Sequence, residues 1–94
     1  MDLYTDIEYL TILGERIKEQ RLALNISQQE LAEFCGISRH TIILLEKGKG
    51  IHLLYLVRVL RKLNIDMNLL DLIPKTSQID PFEMPSNKKR ERAS

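Results

Sequence analysis

The stretch from Ser27 to Gly48 constrains this chain most, because its turn and capping residues fall at fixed intervals among apolar ones. Ser27 is a good first cap for a helix, and Glu30 sits where its capping-box partner belongs. Leu31 and Ala32, with either Phe34 or Cys35, supply an inward face. Gly36 gives the backbone freedom for a tight turn, Ser38 can cap a new helix, and Ile42 and Leu45 recur at helical spacing after Ile37. The pattern predicts two short helices, over 28–35 and 39–47, with Arg39 and His40 at the exposed start of the second.

Two short helices joined in this way are how a small protein presents one helix to the major groove of DNA. At these residues the chain resembles the Cro/CI-like, or XRE-type, helix-turn-helix regulators. The likeness runs from about residue 13 to residue 73, through Leu13-Gly14-Glu15-Arg16-Ile17, Ser27-Gln28-Gln29-Glu30-Leu31-Ala32, Gly36-Ile37-Ser38-Arg39-His40-Thr41-Ile42 and Leu45-Glu46-Lys47-Gly48. It implies an all-α fold: a compact, five-helix, lambda-repressor-like DNA-binding domain over 1–75, with a flexible basic tail over 76–94.

The bulk properties agree with one small domain. Ninety-four residues are too few for two independent cores, and 44% hydrophobic residues suit an ordinary globular fold. No run approaches the ~18 unbroken apolar residues of a membrane span, and Asp2 and Asp6 stand where a secretory signal carries positive charge, so a cytoplasmic protein is expected. Cys35 is the only cysteine, which excludes an internal disulfide and a zinc-finger framework and suits a small buried hydrophobe. The formal net charge is only +1, but it is unevenly spread. Asp2, Asp6, Glu8, Glu15, Glu19, Glu30 and Glu33 outweigh Arg16, Lys18 and Arg21 in the first third. Arg39, Lys47, Lys49, Arg58, Arg61, Lys62 and Lys75 then outweigh Glu46, Asp66 and Asp71. The basic part contains the candidate recognition helix.

Elsewhere, Thr5 and Glu8 match a capping box, and Tyr9, Leu10, Leu13, Ile17 and Leu24 recur at roughly helical spacing, predicting a first helix over 6–24 that Asn25 ends. A fourth helix is expected over 52–63, with Leu53, Leu56, Val57, Leu60 and Leu63 as its stripe and Leu54 and Val59 widening it. Asn64 stops it, Asp66 can cap a fifth over 67–72, and Pro74 forbids continuation. Beyond Lys75 the composition turns polar, with Phe82 and Met84 in Asp80-Pro81-Phe82-Glu83-Met84 as candidate apolar anchors and a cationic cluster at Lys88, Lys89, Arg90 and Arg92.

For chemistry, Arg39 and His40 are the expected base readers, Arg39 being able to donate two hydrogen bonds to a guanine. Ile43 and Leu44 belong to the same outward face but are apolar where the related regulators usually place polar groups. Two readings stay open: contact with thymine methyls, or cover by protein. Thr41, Lys47, Lys49 and the Gly50 backbone are expected at phosphates, and the resemblance assigns a phosphate to Gln28. The resemblance also implies a structural ion pair between Arg21 and Glu46. A two-fold homodimer on a palindromic operator is expected, with Leu69, Leu70, Leu72 and Ile73 as the self-association patch.

Enzyme chemistry finds no support. Cys35 and His40 lack an orienting third group, Cys35, His40 and His52 lack zinc spacing, and Gly48-Lys49-Gly50 lacks the surroundings of a phosphate loop, so no cofactor or metal is expected. The whole-chain layout, with Tyr9-Leu10 before Leu13-Gly14, Leu69 and Leu72 before Pro74, and an end at Arg92-Ala93-Ser94, is similar to HipB-like antitoxins found beside HipA-like Ser/Thr kinases. Pro85 departs from that pattern. The likeness implies repression of the chain's own operon and a kinase toxin as partner. An alternative is a toxin-neutralising interaction module whose DNA binding is secondary or lost.

Overall fold

The computed structural model describes residues 3–76. Four α-helices carry the fold: α1 (Asp6–Ala23), α2 (Gln28–Cys35), α3 (Arg39–Glu46) and α4 (Leu53–Lys62), followed by two 3-10 turns at Asp66–Asn68 and Leu70–Leu72. There is no strand among the described residues. The fold is all-helical, and α3 packs against both α1 and α2 while α2 also packs against α4.

Local sequence explains where each helix starts. Thr5 and Ser27 both form reciprocal capping boxes, with the Glu8 and Glu30 carboxylates accepting from the cap amides at 2.9 and 2.8 Å. Ser38 caps α3 by accepting from the Thr41 amide at 3.1 Å. His52 precedes α4 without any side-chain cap.

A single device ends all four. Asn25, Gly36, Gly48 and Asn64 adopt positive φ, and the next residue donates its amide back to the preceding helix: Ile26 to Arg21, Ile37 to Ala32, Lys49 to Leu44 and Ile65 to Leu60. Three of those returning residues, Ile26, Ile37 and Ile65, then pack against the core. The fourth, Lys49, is exposed.

The core consists of Ile17, Leu31, Ala32, Cys35, Ile42, Leu45, Val59 and Leu63. In α2 the inward position falls to Cys35, while Phe34 is 54% exposed. Burial pushes the Cys35 thiol above its ordinary ionisation range, against the opposing pull of Lys62 and Arg58.

Three expectations need correction. The inward stripe of α1 is Gly14, Ile17 and Arg21, whereas Tyr9, Leu10, Leu13 and Leu24 are exposed, because α1 meets the body where a small residue permits close approach and where a charge finds its partner. In α4 the deepest residue is Val59, while Leu53 and Leu54 stand out in solvent at the first turn. The fifth helix is not continuous: Asp66 begins the first 3-10 turn rather than capping, and Leu70, Leu72 and Ile73 are exposed among the described residues. So short a segment has little to gain from α-helical closure without tertiary burial.

No described helix is long and apolar enough to cross a membrane. The tail motif at Phe82 and Met84 and the basic cluster of residues 88–92 lie outside the described residues.

Candidate nucleic-acid interface

Helix α3 divides cleanly between anchor and display. Ile42, Leu45 and Glu46 are buried, fixing its rotation, and this leaves Arg39 and His40 exposed on the first turn. The Ser38 hydroxyl meets that of Thr41 at 2.9 Å besides capping the helix, so the backbone beneath Arg39 and His40 is doubly held.

Ile43 and Leu44 are partly covered rather than fully displayed. Leu44 lines a hollow of about 350 Å³ with Thr41, Gly50, Ile51, His52 and Tyr55, between α3 and the start of α4. Two of its lining residues, His52 and Tyr55, meet edge to face at 5.5 Å, and the Arg58 guanidinium lies 5.7 Å from the Tyr55 ring centre. This trio, spaced along one face of α4, leaves no periodic apolar signal and escaped the sequence reading.

Lys47, Lys49 and Gly50 are exposed along the turn that leaves α3. Lys49 sits where the other helix ends place a core-packing isoleucine, so a position that normally serves packing here carries an outward cation.

The scaffold behind α3 is ionic. Arg21 Nε donates to Glu46 Oε2 at 2.6 Å and Nη2 to Oε1 at 3.1 Å, with both residues buried. Arg21 Nη1 reaches the Ile26 carbonyl at 2.8 Å, tying the connection between α1 and α2 into the same network. Gln28, on the first turn of α2, also turns inward and donates Nε2 to Glu46 Oε1 at 3.1 Å. A paired fork of this kind, shielded from water, is costly to break from one side. The Gln28 and Ile26 links have no spacing rule that would reveal them in advance. Leu69 is half-buried, and Leu70, Leu72 and Ile73 are 83%, 72% and 80% exposed, an apolar group on the surface of the described residues. No group of three or more His, Cys, Asp or Glu side chains that could hold a metal ion occurs among the described residues.

The helix-turn-helix family HTH_3 matches residues 17–70, more than half of the chain. The chain is 56% identical over 34 residues to an HTH-type transcriptional regulator of Archaeoglobus fulgidus, covering 36% of this chain and 48% of that protein. It is 54% identical over 33 residues to another from Methanothermobacter thermautotrophicus, covering 35% and 48%. A longer match, 32% identical over 78 residues, covers 82% of this chain but 26% of an HTH-type transcriptional regulatory protein of Methanospirillum hungatei JF-1. The chain thus spans less than half the length of these relatives. With the tight turn at Gly36, the anchored α3 and the family match over both, the chain belongs to the XRE-type family of helix-turn-helix transcriptional regulators.

Proposed function

We propose that this chain binds a palindromic DNA operator as a two-fold dimer and represses its own operon. The observation that carries the reading is the anchoring of α3: three buried residues hold it in one rotation while Arg39 and His40 project from its first turn. Arg39 reads guanine through paired donors, His40 contacts a neighbouring base edge, and Ile43 and Leu44 meet thymine methyls. Thr41, Lys47, Lys49 and Gly50 hold the phosphates, and the uncovered Leu70, Leu72 and Ile73 join the two copies, placing the two α3 helices about 34 Å apart. Binding where polymerase must sit makes the protein a repressor. The antitoxin role rests on the likeness to HipB-like proteins and is tested separately, by co-purification with a HipA-like kinase.

The experiment is titration of the protein onto the DNA fragment upstream of its own gene, across a range of salt concentrations. Affinity falling steeply and linearly on logarithmic axes supports phosphate neutralisation. Binding that ignores salt, or that is equal for the promoter and a scrambled duplex, sinks the reading.

A further inference from the structure

The first residue of α2 is where a side-chain amide would be free to meet a phosphate, yet Gln28 is already engaged. Its Nε2 donates to Glu46 Oε1 at 3.1 Å, and the same oxygen accepts from Arg21 Nη2. A carboxylate can only accept hydrogen bonds, so Glu46 dictates which end of the Gln28 amide turns inward before any ligand arrives. Arg21 in turn grips the carbonyl of Ile26, just ahead of the Ser27 cap. One buried carboxylate therefore joins the end of α1, the connection to α2, the start of α2 and the end of α3.

We propose that Gln28 is a positioning residue of the DNA interface and not one of its phosphate ligands. Its amide locks the start of α2 to the end of α3, so the two helices that face the duplex keep one fixed relation. The proposal rests on the DNA-binding reading above. Two features support it beyond the hydrogen bond itself. Gln28 is half-buried, so its reach outward is limited. Glu46 is the last residue of α3, whose first turn bears Arg39 and His40, so in a helix this short any tilt at one end is felt at the other.

The test replaces Gln28 by Met, which keeps the length of the side chain and removes the amide. Affinity for the promoter duplex is expected to fall about tenfold, with binding to a scrambled duplex unchanged. Arg39→Ala, costly in the wild type, should cost less in the Gln28→Met background, because Arg39 is no longer held in register. In the DNA-free protein, backbone amide resonances of Arg39 through Lys47 should shift. Equal losses on every duplex and additive effects with Arg39→Ala would make Gln28 a direct phosphate ligand and overturn the proposal. Unmoved α3 resonances overturn it as well. Should Gln28→Met fail to fold, Gln28→Asn keeps an amide but draws it out of reach of Glu46, and the same outcomes apply. If the wild type binds no duplex in a salt-dependent way, the functional reading falls instead, and the DNA-free resonances still decide whether Gln28 couples to α3.

Discussion

Gly14 rests directly on the last turn of α3: a Cβ added at residue 14 would stand 2.7 Å from the carbonyl oxygen of Glu46. Because the obstacle is backbone, no rotamer change relieves it. Gly14→Ala is expected to force α1 and α3 apart and to cost about 3 kcal/mol, whereas Gly50→Ala, with nothing within 4 Å of the added carbon, should be close to neutral. Urea denaturation of the two variants checks the contrast.

Glu46→Ala leaves the buried Arg21 guanidinium without its partner and should cost about 3–5 kcal/mol. Replacing both together, Arg21→Met with Glu46→Leu, should cost less than the single change, because no uncompensated charge is then buried. Thermal melts of the two variants give the comparison; a double variant no more stable than Glu46→Ala would show that the pair contributes more than its own neutralisation.

The thiol of Cys35 is pushed above its ordinary range chiefly by burial, so the unfolded chain releases that proton before the folded one does. Its contribution to stability is therefore complete below the ordinary thiol range and declines as pH rises past it. Comparing urea midpoints of the wild type and Cys35→Ala from neutral to alkaline pH should show the wild type losing ground only at the alkaline end. Iodoacetamide should also modify the folded protein far more slowly than the unfolded chain.

If Ile43 and Leu44 meet thymine, a duplex with uracil in place of thymine at the contacted steps should bind more weakly by about 0.8 kcal/mol for each methyl lost. In Leu44→Ala the same DNA substitution should have a smaller effect. Fluorescence anisotropy with matched duplexes measures both, and equal losses in the two proteins would place the methyl contact elsewhere.

The helix boundaries were legible because caps and stops are local. Thr5 with Glu8, Ser27 with Glu30, and the left-handed residues Asn25, Gly36 and Asn64 announce themselves within a few positions. What lies inside was harder to read. Gly14 and Arg21 face the core of α1 although neither is apolar, and Val59 rather than Leu53 lies deepest in α4. Each is decided by what stands across from it, which no periodicity along one helix encodes. The exposed group at Leu70, Leu72 and Ile73 shows the same limit: an apolar sequence promised a helix where the described chain forms two 3-10 turns with little burial. Among the candidate interface residues, Arg39, His40, Lys47 and Lys49 lie outward on α3 and the turn after it, while Gln28 is drawn inward by a partner distant in sequence.

Only three of the eight residues of α3 are buried, and the hydroxyl cap that starts the helix belongs to Ser38, not to the exposed Arg39 and His40. A duplicated gene could therefore exchange Arg39 and His40, and adjust Ile43 and Leu44, while inheriting an intact body. On the proposed reading of α3, divergence of what the protein contacts is thus uncoupled from the demand to remain folded.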